Sequence, residues 1–334
     1  MVISASFVFG QVAPAPRTDV PPTITATSTL VIVPTLVRSQ SGELIETLRA
    51  NDFRLTDNGI EQKVSVEDVE RQPLAVVVLM QTGGAAREQL ASYAKLGTML
   101  DSMMGSSAHR VALVTFDSQP EDFWSFTSDV DSIKELSHPE PGDDGASIYD
   151  AVNYGIDLLK KQPPNFRRIL LLLSQTHDDG SKTEVGDVVR RLGENNVTIY
   201  SVTFSPEKTW LKDEFTKPRH ENPLYQLSPV PGDRPLRHTF SLSRPLGVAI
   251  RAMRTDAASE VASLSGGESV EFGSKSDLER QLAILANHIP NRYMLSFRPT
   301  SNQAGFHAIQ VQIPNRPGLQ ISARMSYWSA GPAR

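Results

Sequence analysis

The chain has 334 residues, 39% of them hydrophobic, a formal net charge of -5 and no cysteine. That length suits two domains at roughly one per ~150 residues, and the lack of cysteine excludes a disulfide framework, a thiolate metal site and a cysteine nucleophile. An acidic balance without a dense Lys/Arg stripe argues against a nucleic-acid surface, and no apolar run approaches the about 20 residues that a membrane helix needs.

Residues 1–27 open on a short apolar stretch and continue into a Pro/Thr-rich segment. The stretch resembles the end of a signal peptide without its basic leading region, so it reads either as the remnant of an export signal or as a disordered leader. Residues 28–72 are strand-like, with turns at Ser41-Gly42 and Asn58-Gly59, a pattern of small hairpins. Residues 290–330 show the same alternation over 292–298, 306–313 and 319–328. A few hairpins alone bury too little surface to be stable. The two ends are therefore predicted to pack into one β-sandwich, with the middle of the chain inserted between them.

The middle, 73–289, alternates strands and helices and predicts an α/β domain, a doubly wound and mostly parallel sheet. Its centre is the uninterrupted apolar run Leu74-Ala-Val-Val-Val-Leu-Met80, which ends on the turn Gln81-Thr-Gly-Gly-Ala85. A strand apolar at every position is covered on both faces, and open parallel sheets bind ligands at the carboxyl ends of their strands. An amphipathic helix is predicted over about 87–104, a strand over 110–116, an edge strand around Trp124 and a helix over 147–161. A second apolar strand over 168–173 leads into the loop Ser174-Gln-Thr-His-Asp-Asp-Gly180, followed by a helix over 183–194 and a strand over 197–204. A Pro-rich polar insertion occupies 206–244. Helices over 246–264 and 276–288 flank a short strand near 269–272.

Several pieces share an order and spacing with a known family: Asn51-Asp-Phe-Arg-Leu-Thr-Asp-Asn-Gly59, the 74–84 strand and turn, Arg110-Val-Ala-Leu-Val-Thr-Phe-Asp117, Gly145-Ala-Ser-Ile-Tyr-Asp-Ala151, Leu264-Ser-Gly-Gly267, Arg292-Tyr-Met-Leu-Ser-Phe-Arg-Pro299 and Ser326-Tyr-Trp328. Together they resemble a von Willebrand factor A domain of the bacterial, acidobacterial-type subfamily in which that domain sits inside a β-rich frame. The resemblance implies a Rossmann-like fold and a role in adhesion or assembly. It also implies where a divalent cation would bind: an Asp-x-Ser-x-Ser turn after the first strand, a Thr on a second loop and an Asp after the fourth strand, all oxygen ligands. In this chain Gln81 stands at the first Asp, Gly83 and Ala85 at the serines, Ala146 at the Thr and Gln175 at the late Asp. Shifting the turn by one residue offers Met80, Thr82 and Gly84, which is no better. Two neutral amides do not offset the dehydration of a divalent ion as carboxylates do, so neither a metal nor another cofactor is expected.

Two acidic pairs, Asp143 with Asp144 and Asp178 with Asp179, lie on loops predicted at the same sheet edge. They are either solvated loop acids, the reading preferred here, or displaced ligands that rebuild a cation site. No phosphate-binding glycine motif, Gly-x-Ser-x-Gly elbow or carboxylate pair placed for acid/base work occurs, and the seven histidines lack metal-ligand spacing. An enzyme is not expected. Leu264-Ser-Gly-Gly-Glu268 reads as a helix-ending turn, His177 as a loop histidine and Asn196-Val-Thr198 as a chance sequon. The sequence thus predicts an exported, non-catalytic interaction module that meets a protein partner through Gln81, Thr82, Gly83, Ala85, Ala146 and Gln175, with Asp143, Asp144, Asp178 and Asp179 on the rim. One alternative is a cation-dependent adhesion module using the displaced carboxylates. Another is a structural scaffold of the cell envelope that makes its contacts through the β-frame or the 206–244 insertion.

Overall fold

The structure is a computed structural model and describes residues 30–68, 72–105, 107–204, 256–301 and 303–331. The expected leader, the 206–244 insertion and the first part of the helix expected at 246–264 lie outside the described residues.

A six-stranded sheet forms the centre of the α/β domain, in the order β10 (Glu268–Glu271), β9 (Val197–Phe204), β8 (Arg167–Gln175), β5 (Leu74–Gln81), β6 (His109–Phe116) and β7 (Pro120–Thr127). All neighbours run parallel except β7, which lies antiparallel on β6 with two register shifts and forms one edge. Strand β5 is buried at all eight positions because its two faces feed two cores. Ala75, Val77 and Leu79 meet α2 (Ile148–Lys160), α3 (Val185–Asn195) and α4 (Ala257–Ser265), while Leu74, Val76, Val78 and Met80 meet α1 (Leu96–Met104) and α5 (Lys275–His288). Strand alternation turns one apolar run into two helix-bearing surfaces.

The continuous helix expected over 87–104 is instead two 3-10 turns, Gly84–Glu88 and Leu90–Tyr93, followed by α1. Gly84 is held at φ +52° and its N–H donates to Asp143 O at 2.7 Å. The chain therefore leaves the strand in a tight, glycine-dependent bend. Helix α3 starts later than the pattern suggests because the backbone N–H groups of Lys182 and Thr183 are taken by the Asp150 carboxylate at 2.9 and 2.8 Å.

Both ends of the chain enter two further four-stranded sheets. One has the order β13 (Gln320–Ala323), β1 (Val31–Arg38), β11 (Tyr293–Phe297), β4 (Ser65–Glu67); the other β14 (Ser326–Ser329), β12 (Gly305–Gln312), β2 (Arg54–Asp57), β3 (Ile60–Gln62). Val33, Leu295 and Phe297 of the first share an apolar cluster with Leu55, Ile309 and Tyr327 of the second. Beside that cluster Asp57 accepts from Tyr327 Oη at 2.8 Å and pairs with His307 Nδ1 at 2.8 Å.

Two buried arginines join these sheets to the amino end of the six-stranded sheet. Arg324, 1% exposed, donates to Ser265 O at 3.3 Å, Ile32 O at 3.2 Å, Asn196 Oδ1 at 2.9 Å and Val197 O at 2.9 Å. Burial lowers its guanidinium to about 10. Arg292 donates to Gly266 O at 2.7 Å, pairs with Glu268 at 2.8 Å and lies 5.3 Å from the centroid of the Tyr200 ring. Burial alone would raise the Glu268 carboxyl, but the His288 hydrogen bond and the Arg292 charge outweigh it and hold it at about 2. Gly266 (φ +81°) ends α4, so the Ser-Gly-Gly segment is a helix-ending turn.

Candidate functional site

The carboxyl ends of β5, β6 and β8 bring Gln81, Thr82, Asp117 and Gln175 together. Gln81 has no exposed surface. The Gln175 backbone N–H donates to Gln81 Oε1 at 2.8 Å, which fixes the orientation of the amide because a backbone N–H can only donate. Its Nε2 therefore faces acceptors, Gly83 O at 3.0 Å and Gln175 Oε1 at 3.2 Å. Gln175 passes the chain on, donating from Nε2 to His177 O at 2.9 Å. Gln81 and Gln175 thus form one closed amide network.

Loop 142–145 lies directly on this turn. Gly142 N donates to Thr82 O at 3.1 Å, and Thr82 Oγ1 donates to Phe116 O at 3.2 Å. A Cβ at Gly83 would fall 2.5 Å from Asp117 Cβ and 2.6 Å from Asp143 O, and one at Gly145 would fall 2.4 Å from Ser118 Cα. A serine does not fit at position 83 while the loop keeps this place. Arg87, on the first 3-10 turn, clamps the loop from outside, with Nε and Nη2 donating to Gly142 O at 3.0 and 2.7 Å and Nη1 pairing with Asp144 at 2.8 Å.

The predicted contact residues divide under this cover. Gln81, Thr82, Gly83 and Ala146 are buried, whereas Ala85 and Gln175 are half-buried. The first four lie beneath the cover rather than on the exposed edge. Ala146 offers only its backbone, exchanging two hydrogen bonds with Asp179 at 3.2 and 2.9 Å.

One acid of each pair, Asp143 and Asp178, is more committed than a solvated loop acid. Asp143 accepts from Ser118 N at 3.1 Å, Gly145 N at 2.7 Å and the Ser118 hydroxyl. These bonds, the hydroxyl foremost, hold its carboxyl below the usual range. Asp178 accepts from Tyr149 N at 3.1 Å and Ser181 Oγ at 2.5 Å, capping the start of α2; burial raises it despite those bonds. Asp144 and Asp179 are exposed. Among the described residues, no group of three or more His, Asp or Glu side chains is arranged to hold a metal ion.

Sequence reasoning missed Asp117 and Arg87. Asp117 is 3% exposed and accepts from Asp143 N at 2.8 Å and Gln119 N at 3.3 Å, while its carbonyl accepts from Ser147 N at 2.7 Å and Ser147 Oγ at 2.9 Å. Its signal was available: it is the first polar residue beyond an apolar strand, on the edge where such sheets bind. Glu121 nearby is raised by burial and then by the Asp117 charge.

An open, mostly parallel sheet with helices on both faces and a loop-built face at its carboxyl edge defines the class. Residues 87–245 match the model of the von Willebrand factor type A domain. The match begins just beyond the Gln81-Thr-Gly-Gly-Ala85 turn. Similar solved structures include a von Willebrand factor type A protein from Catenulispora acidiphila (9% identity, TM-score 0.44, 91% of this chain and 64% of that one). Others are the conserved hypothetical protein BatB from Bacteroides thetaiotaomicron (11%, 0.36, 64% and 99%) and the PilB minor pilin from Streptococcus sanguinis (11%, 0.41, 67% and 63%). The chain spans less than two thirds of the Catenulispora and Streptococcus structures. At these identities and scores the likenesses carry no functional argument. No curated protein matches the chain.

Proposed function

We propose that the chain is a non-catalytic protein-interaction module of the von Willebrand A type whose partner meets the carboxyl edge of the sheet directly, without a bridging cation. The observation that carries this reading is the orientation of Gln81: its amide N–H groups, not oxygens, point at Gly83 O and Gln175 Oε1. A hard divalent ion takes six or more oxygen ligands with carboxylates prominent among them. The residues at the family's positions do not fit that ion. The carboxylate that is present, Asp117, already accepts two backbone N–H bonds, and Asp143 and Asp178 are turned to Ser118 and Tyr149. The contact surface in this reading is the exposed rim of Asp143, Asp144, His177 and Asp179, with half-buried Gln175 and Ala85 beside it and the Gln81 network as its support.

The two four-stranded sheets and their shared core support reading 28–72 and 290–330 as a β-sandwich frame around an α/β domain at 73–289. Export, on the strength of the signal-like residues 1–27, belongs to the same reading; fractionation that finds the protein only in the cytosol removes it.

The test is a melting curve of the full chain in EDTA against millimolar magnesium, manganese or calcium. A ligand at 100 times its dissociation constant adds about 2.7 kcal/mol, and the expected shift is nil. A rise specific to one cation overturns the proposal and restores the reading with displaced carboxylates.

A further inference from the structure

Beyond that face, one buried acid has no use in the site. Glu260, in the first turn of α4, is 3% exposed, and its Oε2 has no hydrogen-bond partner among the described residues. The titratable groups acting on it are acidic. Asp256 caps its own helix, accepting from Ser259 N at 3.0 Å. Tyr149, in the first turn of α2, is influenced by Asp178, Asp256 and Glu260 together. The charges that act on Glu260 and Tyr149 from the described residues are carboxylates. A buried carboxylate without a donor or a cation is costly, whereas the protonated acid is not.

The segment around Glu260 is tied to the candidate edge from both sides. Ala258 N, in the first turn of α4, donates to Thr176 O at 3.2 Å. Asp178 holds Tyr149 N at the start of α2, and Asp179 exchanges backbone bonds with Ala146. The loop at 175–181 therefore starts at Gln175 and rests on α2 and α4, where the acidic groups converge.

We propose that Glu260 is a proton-controlled latch: neutral, it lets α2, α4 and the 175–181 loop close on one another; ionised, it loosens that contact and frees the loop that carries Gln175. Burial first, and the Asp256 charge second, raise its carboxyl from 4.5 to about 7. The folded value lies above the unfolded one, so the closed form is favoured fully below the unfolded value and loses that advantage as the pH rises through the folded value. The latch concerns loop motion alone and does not require the cation-free partner contact, so the two fail separately.

Hydrogen exchange on the full chain, wild type against Glu260→Gln, tests it at residues 146–149, 176–181 and 257–260, after division by the intrinsic pH dependence of exchange. In the wild type, protection is expected to fall by up to tenfold per pH unit between about 4.5 and about 7 and then level off, while the variant stays flat. The same slope in both proteins overturns the latch. If the variant does not fold, a carbon-13 titration of the wild-type glutamate carboxyls decides instead. One carboxyl that titrates near neutrality, with loop resonances moving alongside it, supports the latch; all carboxyls in the ordinary range overturn it.

Discussion

The amino and carboxyl ends of the six-stranded sheet bury polar groups in opposite ways. At the amino end the buried groups are charged: Arg324 and Arg292 donate to Ser265 O and Gly266 O at the close of α4, and Glu268 balances Arg292. At the carboxyl end the central groups are neutral, the Gln81 and Gln175 amides, with Asp117 satisfied by backbone N–H groups. Helix polarity accounts for the first arrangement, since a helix carries partial negative charge where it ends and favours cations there. It also explains why carboxylates such as Asp178 and Asp256 gather where α2 and α4 begin. A cation at that edge works against the helix starts unless carboxylates outnumber it, and the two side chains central to this edge are amides. Charge in this chain is kept where the four-stranded sheets join the six-stranded one and is absent from the amide network at the opposite edge.

The largest effect is expected at the charged end. Arg324→Met leaves four acceptors without their donor, Ser265 O, Ile32 O, Val197 O and Asn196 Oδ1. Guanidinium-chloride unfolding should register a loss of about 3–5 kcal/mol, because buried acceptors cost far more unpaired than their hydrogen bonds contribute on balance. A loss under about 1 kcal/mol would mean that solvent reaches the seam and that the two ends of the sheet do not differ as described.

How much of this was legible in the sequence follows from the range of the forces involved. The apolar runs at 74–80 and 168–173 declared the central strands because burial on both faces leaves no polar position. The amphipathic stretch at 147–161 likewise declared α2. The break in the helix expected over 87–104 was not legible, since it depends on Gly84 meeting Asp143, 59 residues away in sequence. The identities of Gln81, Gly83, Ala146 and Gln175 could be read directly, but their burial could not. Cover by loop 142–145 depends on the close approach of Gly83, Gly142 and Gly145 to Asp117 and Ser118, and a sequence shows glycines without showing what they touch. Arg324 and Arg292 read as ordinary strand residues, because nothing local says that an arginine will meet the end of a distant helix.

An intermediate effect is expected from placing a carboxylate at the carboxyl end. Gln81→Asp removes the donor to Gly83 O and Gln175 Oε1 and brings a buried carboxylate towards the same two acceptors. In EDTA this should cost about 2 kcal/mol at neutral pH. The new carboxyl is destabilised by burial, so its folded value rises above the unfolded one, and the cost should shrink as the pH falls and the acid is protonated. Urea midpoints at two pH values check both statements. Full rescue of the variant by magnesium would show that the remaining residues hold a cation once a single carboxylate returns, and would turn the contrast between the two ends into a matter of one side chain.

The smallest effect is expected on the cover itself. Arg87 is 43% exposed and its partner Asp144 is 93% exposed, so the ion pair between them contributes little in water and is screened by salt. Its two bonds to Gly142 O act on a loop that Gly84 N and Gly142 N already fasten to the turn. Arg87→Gln should therefore lower global stability by less than about 1 kcal/mol, yet raise hydrogen exchange at Gly84 and Gly142, because local opening draws on less free energy than global unfolding. A large global loss would make loop 142–145 part of the core. Unchanged exchange would mean that the glycine contacts alone keep the edge covered, and that Arg87 is free to serve the exposed rim.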